Sequence, residues 1–505
     1  MLITILVYLA AMVGIGAVLA KQNQTTDDFY LGGRTLGPLV TAMSAEASDM
    51  SSWLLMGLPG VAYLSGTADA AWTAIGLAIG TYVNWLVVAK RLRNYTHVCG
   101  NSTTLPLFFS NRYRDNKRIL SVIAALLIII FFVPYTASGF AACGKLFANL
   151  FGMDYLPAML ISAIVIVAYT TLGGFLAAST TDFVQSIVMT IAIVVVFGFG
   201  ISKVGSFSAV MDNAKSMAGY FSLTHTHDVA TGTASPYSLL QIFSTLAWGL
   251  GYFGMPHVLL RFMAIGDANK LKLSRRVATV WVVISMAVSV FIGVIGNAMT
   301  KAGVLPTLKD PETIILVVAD LISKHGVLAT IIAGLILAGI LAATMSTADS
   351  QLLAASSSAS QNILKEVFMK DMSEKTGMLI ARITVLVIAL IGVFIARNPD
   401  SSVFQIVSFA WAGFGASFGP LVLLALFWKR STFQGALCGM VSGGVMVFVW
   451  KFLIRPMGGA LGIYELLPAF LLGLAVNVIV SLLTPAPSRE VQDEFDKVAS
   501  MNNNR

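Results

Sequence analysis

The sequence predicts an all-α membrane protein with about thirteen transmembrane helices. Of its 505 residues, 57% are hydrophobic and only 11% are charged, and the mean hydropathy is +0.83. Soluble proteins carry about 25% charged residues. Apolar runs of roughly 20 residues, the length that crosses a bilayer, recur along the whole chain. This composition excludes a soluble enzyme and a nucleic-acid-binding protein, and the net charge of +8 indicates orientation in a membrane instead.

The apolar runs define the predicted spans in chain order. They cover residues 2–20, 38–60, 66–89, 119–149, 156–176, 182–203, 236–258, 277–300, 326–356, 378–396, 403–427, 433–454 and 464–484. The first run lacks a basic leader and a small-residue cleavage site, so we expect a retained span and not a signal peptide. An odd number of spans places the two termini on opposite sides of the membrane.

Positive charges are concentrated in one of the two sets of loops, which holds most of the 32 lysines and arginines. This set comprises Lys21, Arg34, Lys90, Arg91, Arg93, Arg112, Arg114, Lys117, Arg118, Arg261, Lys270, Lys272, Arg275, Arg276, Lys365, Lys370, Lys375, Arg382, Lys429, Arg430, Arg489, Lys497 and Arg505. The bias predicts an outside N-terminus and a cytoplasmic C-terminus in a plasma membrane. The polar tail after residue 484 is expected to be partly disordered.

Cysteines and histidines give little indication of a metal or disulfide site. Cys99, Cys143 and Cys438 are odd in number and scattered, so they predict no disulfide framework. His225 and His227 flank one threonine in a polar loop and are able to bind a metal, although such an isolated pair in a loop usually has no metal-binding role.

The second span contains residues that lipid does not tolerate. Its segment SAEASDMSSWLLMGLPG, from Ser44 to Gly60, includes Glu46, Asp49 and Pro59. A charge at mid-bilayer costs a few kcal/mol or more, and proline removes a helical hydrogen bond. Carbonyls freed by a helix break, beside a carboxylate, suit a hard cation such as Na⁺. The alternative is a kinked helix whose serines bond back to its own carbonyls.

The seventh span is interrupted in a similar way, by three glycines and Pro256. Trp248 and Tyr252 are four residues apart and share one helix face. They form either an aromatic pair packed between helices or one wall of a pocket for a small ligand. Two interrupted spans, second and seventh in order, predict an inverted repeat of five spans each, with a substrate held near the midplane.

The predicted organisation has six parts. They are an extra N-terminal span with the first inner loop (1–37), the first repeat (38–203), an extracellular loop (204–235), the second repeat (236–427), two C-terminal spans (428–484) and a cytoplasmic tail (485–505).

The ninth span has a polar face. Ala343, Ser346, Thr347 and Ser350 occur at positions i, i+3, i+4 and i+7, with Asp349 one step around the helix. Small hydroxyl residues at this spacing are typical of helix packing, while the acid and the density of hydroxyls favour an ion-lining face.

Five motifs resemble the sodium/solute symporter family and, within it, the proline-transporting branch. They are FYLGGRTLGP, SDMSSWLLMGLPG, WGLGYFGMPHVLLRFM, LAATMSTADSQLL and SFAWAGFGASFGPLVLLALFWKR. The resemblance extends from the first span to about residue 485. It implies a LeuT-type fold with one extra N-terminal span, a five-plus-five inverted repeat and two extra C-terminal spans. It also implies a transporter without enzymatic activity or cofactor, with Na⁺ as its coupling ion.

The resemblance implies roles for residues at matching positions. The main sodium site would use the backbone carbonyls of Ala47, Met50 and Ala343 and the side chains of Ser346 and Thr347. Coupling of sodium to substrate would involve Asp49, Ser51 and Arg34. The substrate pocket would contain Tyr135, Trp248, Tyr252, Pro256, Gly334 and Trp53. A possible second sodium site would contain Asp182, Asp349 and Ser350. Sodium is the only metal expected, and some family members have glycine in place of Glu46.

These expectations describe a monomer in a lipid bilayer that imports L-proline with Na⁺ by alternating access. A sugar, sialic acid or pantothenate on the same fold is the first alternative, and the segment from Trp248 to Pro256 discriminates between them. A solute sensor is a second alternative, and the short tail without a signalling extension argues against it. A passive channel would need no substrate-selective aromatic pocket.

Overall fold

The computed structural model describes residues 1–22, 24–369, 372–398 and 403–503. Lys370 and Arg505, which were counted with the inner charges, lie outside the described residues. The described chain is almost entirely helical. A short antiparallel pair, β1 (His225–His227) and β2 (Ala234–Pro236), lies in the loop between the two predicted repeats.

The helices are numbered in chain order. The first ten are α1 (Leu2–Leu19), α2 (Thr26–Leu31), α3 (Pro38–Asp49), α4 (Leu58–Ser65), α5 (Thr67–Val83), α6 (Ala89–Val98), α7 (Leu105–Arg112), α8 (Ile119–Phe151), α9 (Tyr155–Val204) and α10 (Phe207–Ser216). The others are α11 (Leu239–Leu246), α12 (Pro256–Ala264), α13 (Leu271–Lys301), α14 (Ile314–Ser323), α15 (Val327–Ser357), α16 (Glu374–Ala396), α17 (Val403–Phe427), α18 (Phe433–Val449), α19 (Leu466–Leu483) and α20 (Arg489–Asn503).

Ten helices, taken over the described residues, are long and apolar enough to cross a membrane. The two interrupted spans are absent from that set because each is divided into short helices. One of the ten, α9, is 50 residues long and covers two predicted spans. Its Gly174 leaves the helical conformation (φ 59°, ψ −160°), and a 50-residue helix is about 75 Å long against a hydrocarbon core of about 30 Å. A total of thirteen crossings remains a prediction.

The first interrupted span breaks at the predicted position. Helix α3 ends at Asp49, and Met50 leaves helical geometry with ψ 63° while its N–H still donates to the Glu46 carbonyl (2.7 Å). The chain then passes through a wide π-helical turn, Trp53–Gly57, into α4. Because the N–H of Ser51 turns to the Asp49 carbonyl (2.8 Å), the carbonyl of Ala47 loses the donor that a continuous helix would give it.

The second interrupted span has three parts. Helix α11 begins with a capping box between Ser238 and Gln241, a tight 3₁₀ segment follows at Ala247–Gly254, and α12 restarts with Pro256 in its first turn. Proline is tolerated there because the N–H it lacks would have no helical acceptor. The glycines in the 3₁₀ segment allow it to pack against the backbone of α5 and of α17.

Glycine at position 249 is required by that close approach. A Cβ atom added there would overlap the carbonyl oxygen of Gly76 on α5. We expect Gly249→Ala to destabilise the protein by about 1–3 kcal/mol, the usual cost of overpacking. Thermal unfolding in detergent checks this. The matched control is Gly198→Ala, because Gly198 has nothing within 4 Å of its added Cβ. Equal midpoints for the two variants would contradict the packing argument.

The two interrupted spans are joined to each other at one end. The N–H of Leu36, before α3, donates to the carbonyl of Ala264 (3.2 Å), and the N–H of Gly266 donates back to the carbonyl of Leu36 (3.1 Å). This short parallel bridge closes the end of the molecule that carries the predicted inner loops.

The tail does not follow its prediction. Residues 489–503 form α20 where partial disorder was expected, so that expectation is wrong for the described tail. Arg114 pairs with Glu490 (3.0 Å) and Glu494 (2.9 Å), and the ring of Phe495 is buried. Helix α20 is amphipathic: its acidic side pairs with Arg114 and Lys429, and its apolar side buries Phe495.

Candidate ion and substrate site

The break in α3 lies directly beside α15. The Ser346 hydroxyl donates to the carbonyl of Ala47 (2.8 Å), the acceptor that the break frees. On α15 itself, the hydroxyls of Ser346 and Thr347 both reach the carbonyl of Ala343, at 3.2 and 3.1 Å. Four of the five predicted sodium ligands therefore meet in one place. The fifth, Met50, lies at the break and is buried.

Asp49 connects the two interrupted spans. Its Oδ2 accepts a hydrogen bond from the Tyr252 hydroxyl (2.7 Å). Its Oδ1 is buried and has no hydrogen-bond partner among the described residues. A buried carboxylate oxygen without a partner is costly, which makes this position suitable for a cation or for a group carrying a donor.

Ser51 and Tyr135 also lie at the break. The Ser51 hydroxyl accepts from the N–H of Trp53 (3.1 Å), and the side chain of Tyr135 on α8 lies beside Ser51. The structure thus brings a residue predicted for coupling next to two that were predicted for the substrate pocket.

Aromatic side chains enclose the space beside Asp49. Trp248 stacks on Trp53 with ring centroids 5.7 Å apart, and the Tyr252 ring meets Trp411 edge to face at 5.1 Å. Pro256 starts the next helix at the same break. The predicted pair Trp248 and Tyr252 therefore contributes to a cluster larger than two residues.

Three members of this cluster were not predicted from the sequence: Trp411, Tyr464 and Phe404. The indole of Trp411 donates to the carbonyl of Trp248 (2.8 Å), and the Tyr464 ring stacks on Trp248 at 4.9 Å. Phe404 lies 5.6 Å from Trp248 and 6.3 Å from Trp53. Trp411 lies in one of the five motifs, so its position in the sequence was some indication of its role. Tyr464 and Phe404 lie in none of the motifs, and nothing beyond their aromatic side chains indicated a role.

Two cavities reach the aromatic cluster from the end opposite to the Leu36 bridge. One, of about 360 Å³, is lined by Trp248, Phe404 and Tyr464. The other, of about 490 Å³, is lined by Phe404 and by Gly57 and Gly60 of the first interrupted span. Phe404 lines both cavities, and its ring centroid lies 6.3 Å from that of Trp53.

Two predicted site residues lie elsewhere. An added Cβ at Gly334 would touch Thr4 and Met1, so this glycine packs α15 against the N-terminal helix and does not join the aromatic cluster. Its predicted role in the substrate pocket is not supported by this packing. Arg34 lies at the closed end, where it donates to the carbonyls of Met263 (2.7 Å) and Ser102 (2.7 Å).

Arg34 holds three segments of the closed end together. It lies before α3, its partner Met263 is in α12, and Ser102 follows α6. Burial, together with the nearby Arg93, lowers the pKa of Arg34 to about 10, so the guanidinium stays protonated at neutral pH. A coupling role for Arg34 would therefore act through closure of this end and not through contact with sodium.

The three residues of the possible second sodium site do meet, but around an arginine. Arg261 donates to Asp182 (3.1 Å) and to Ser350 (2.5 Å), and the Ser350 hydroxyl donates to Asp349 (2.9 Å). Tyr169 donates to the other oxygen of Asp349 (2.7 Å). The guanidinium already supplies a positive charge to this acidic cluster.

Arg261 was counted among the inner-loop charges, and that assignment is wrong. The residue lies within α12 and is 1% exposed. The helix continues to Ala264, so the side chain turns into the protein and not toward the loop. It also stands over the Phe175 ring, 4.8 Å from its centroid.

Glu46 has a partner that the sequence did not reveal. Its Oε1 accepts from the indole of Trp85 (2.8 Å), while its Oε2 is buried without a partner among the described residues. Trp85 in turn meets Phe262 edge to face at 4.5 Å. The carboxyl therefore links α3 to the chain between α5 and α6 instead of allowing the close helix approach that a glycine would give.

The model of a family described as the sodium:solute symporter family matches residues 29–443. The chain belongs to the sodium:solute symporter family. The family predicted from the five motifs is therefore confirmed, and the chain is a multi-pass transporter of a sodium-coupled family and not an enzyme.

Relatives match over nearly the whole chain. The chain is 41% identical to the sodium/proline symporter of Salmonella typhimurium, over 98% of this chain and 96% of the relative, and 41% identical to that of Escherichia coli, over 98% and 95%. It is 40% identical to the osmoregulated proline transporter of Bacillus subtilis, over 97% and 96%.

Solved structures identify the fold. A Na⁺-coupled sialic acid symporter in a substrate-bound outward-open state superposes with a TM-score of 0.79 at 19% identity, covering 96% of this chain and 98% of the other. A nucleobase-cation-symport-1 family transporter in a closed conformation gives a TM-score of 0.53 at 14% identity, covering 93% and 98%. The predicted all-α, LeuT-type class is confirmed.

Proposed function

We propose that this sodium:solute symporter imports L-proline together with Na⁺ across the cytoplasmic membrane. The observation that carries the proposal is the contact between the break of α3 and α15, where Ser346 bonds Ala47, two residues before Asp49, which bonds Tyr252. The relatives that bear the name sodium/proline symporter support the choice of solute.

Sodium would bind at the break itself. The carbonyls of Ala47, Met50 and Ala343 and the hydroxyls of Ser346 and Thr347 form an all-oxygen set, the kind of ligand that hard cations prefer. When the ion enters, the Ser346 hydroxyl would turn its oxygen to the ion and release Ala47. Asp49, with one unbonded oxygen, would balance the added charge.

Proline would bind in the adjoining aromatic cluster. It is a small zwitterion with an apolar ring, and the faces of Trp53 and Trp248 suit the ring. The broken helix start at Pro256 favours its carboxylate, because helix N-termini attract negative charge. Three residues would connect the sodium site to the proline site: Ser51, which lies at the break, Tyr135, which lies beside Ser51, and Tyr252, which bonds Asp49.

Transport would proceed by alternating access. Sodium from outside orders the two interrupted spans, proline binds, the outer cavities close over Phe404, and the bridge at Leu36 with Arg34 then opens. One charge moving through ~100 mV yields ~2.3 kcal/mol. A roughly tenfold sodium gradient adds ~1.4 kcal/mol. One sodium per proline is therefore enough for a gradient of roughly several hundredfold.

The finer organisation is part of the proposal. We place the N-terminus outside and the C-terminus in the cytoplasm, with thirteen crossings if α9 is two spans and each interrupted span is one. The repeats then cover 38–203 and 236–427, preceded by 1–37, separated by the loop 204–235 and followed by 428–484 and the tail 485–505. A monomer holds all the residues of the site.

A second sodium is not needed at Asp182, Asp349 and Ser350. Arg261 lies between Asp182 and Ser350 and is the cation of that cluster. We therefore assign one sodium to the proposed cycle and give the acidic cluster a role in positioning α12 against α9 and α15.

The main site is tested by removing one hydroxyl. We expect Ser346→Ala to raise the sodium concentration for half-maximal proline uptake by about tenfold or more, equivalent to ~1.4 kcal/mol of lost ion binding. Ser357→Ala is the matched control, because the Ser357 hydroxyl bonds, among the described residues, only within α15 (Ala354 carbonyl, 2.9 Å). An equal sodium dependence in both variants would remove Ser346 from the site.

The substrate is tested in proteoliposomes. Radiolabelled L-proline uptake is compared under an inward sodium gradient and a matched potassium gradient. Accumulation with sodium alone, competed by unlabelled proline and not by a sugar, sialic acid or pantothenate, is the expected result. Competition by one of those solutes, with no proline uptake, would assign the aromatic cluster to the other solute.

A further inference from the structure

A basic cavity lies away from the ion site, between α6, the start of α13 and the end of α17. It has a volume of about 600 Å³, and its lining includes Lys90, Arg91, Lys272 and Arg275 with no acidic residue. The nearest acid along the chain, Asp267, accepts a hydrogen bond from the N–H of Asn269 (2.9 Å) and does not line the cavity. Four positive charges thus face one space.

These cations have no acidic partners in the part of the chain that the structure describes. None of the four takes part in a salt bridge between described residues. The Nε atoms of Arg91 and Arg275 are buried and have no hydrogen-bond acceptor among the described residues. Their guanidinium groups stand over aromatic rings, Arg91 over Phe427 (5.0 Å) and Arg275 over Tyr82 (5.5 Å). Cation–π contacts hold the groups in place without neutralising them.

The same cavity has an apolar side that faces lipid. Leu86 and Val87 line it and are 47% and 38% exposed, one turn from Lys90 and Arg91. On α13, the apolar residues after Arg276 are exposed in the same way, at Val280 and Ile284. The cavity therefore lies where the basic end of the protein meets its lipid-facing surface.

We propose that this cavity binds an anionic phospholipid of the inner leaflet, with the phosphodiester among the four cations and the acyl chains along Leu86 and Val87. A soluble phosphate would match the charges but would leave the apolar wall uncovered. Basic pockets between transmembrane helices on the cytoplasmic side are suited to such headgroups, and each nearby cation favours binding. The inference is independent of the transported solute.

Native mass spectrometry of the purified full chain tests the proposal, with phosphatidylglycerol, phosphatidylcholine and glycerol phosphate as probes. The variant Lys90→Gln/Lys272→Gln/Arg275→Gln is compared with the matched control Lys21→Gln/Lys375→Gln/Arg382→Gln, whose residues are exposed and outside the cavity. We expect wild type and control to prefer phosphatidylglycerol over phosphatidylcholine by roughly tenfold or more, and the cavity variant to lose that preference.

Three results would overturn the proposal. They are an unchanged preference in the cavity variant, an equal loss in both triple variants, and displacement of phosphatidylglycerol by equimolar glycerol phosphate. If the triple variant does not fold, Lys272→Gln alone changes one exposed residue and should weaken phosphatidylglycerol binding roughly fivefold, while Lys272→Arg should not. Wild-type binding by Lys272→Gln would then decide against the site.

Discussion

Arg261→Gln should sharply reduce the amount of folded protein and with it all transport. Arg261 is the buried cation that pairs with Asp182, and its loss leaves that carboxylate and Asp349 uncompensated in the membrane interior. Removing one partner of a buried ion pair costs about 3–5 kcal/mol. The measurement is the yield and thermal unfolding midpoint of the purified variant in detergent.

The double variant Arg261→Gln/Asp182→Asn provides the rescue. It removes both charges together, so it should recover much of the midpoint that the single variant loses. Arg382→Gln is the control for loss of a positive charge at an exposed position. A single variant as stable as wild type would show that Arg261 does not balance the acidic cluster.

Asp49→Asn should raise the sodium concentration required for half-maximal proline uptake by about tenfold or more. Asparagine has the same shape as aspartate, and its amide oxygen is still able to accept the hydrogen bond from Tyr252. The substitution removes only the negative charge beside the proposed ion. A tenfold change corresponds to ~1.4 kcal/mol of ion binding. Uptake is measured over a sodium series at constant ionic strength.

Tyr252→Phe separates the two proposed roles of the Asp49 carboxylate, which are to balance the charge of sodium and to accept a hydrogen bond from Tyr252. It removes the hydroxyl that donates to Asp49 Oδ2 while leaving the charge. It should weaken proline binding more than sodium binding, because the lost hydroxyl holds the aromatic cluster against Asp49, while the carboxylate charge beside the proposed ion is kept. Wild-type sodium dependence in Asp49→Asn would show that Asp49 does not act on the ion.

The helix breaks were predictable because proline and glycine act locally. Pro256 starts α12 after the break in the seventh span, and Pro59 lies in the first turn of α4, several residues after the break at Met50 in the second span. Their positions in the second and seventh spans set the expected repeat. Ser346 and Thr347 were predictable as one face of α15 because helical spacing is also local. The Ser346–Ala47 and Tyr252–Asp49 bonds were not, since they depend on how distant segments cross.

Arg261 shows where pattern reading fails. An arginine after an apolar run satisfies the positive-inside rule whether it ends a helix at the membrane surface or turns inward. Its burial depends on Asp182, 79 residues away in sequence, and on Ser350. The pocket role predicted for Gly334 is not supported for a related reason. A glycine allows close packing on any side of its helix, and the neighbour of Gly334 is Thr4.

The tail differs from its prediction because the residues that it contacts are distant in sequence. Residues 489–503 are polar enough to suggest disorder, yet α20 gains ion pairs to Arg114 and buries Phe495. Tyr464 and Phe404 were likewise unremarkable along the chain, and only the packing of α17 and of the segment before α19 brings them to Trp248.

Sodium bound at the α3 break should organise the proline pocket, and equilibrium binding of the two ligands measures this effect. The proline dissociation constant of purified protein is measured across a sodium series, and the sodium constant across a proline series. Because coupling is reciprocal, each ligand should tighten the binding of the other by the same factor, and Ser346→Ala should weaken this effect. Proline binding that is equally tight in sodium and in potassium would show that sodium does not organise the pocket.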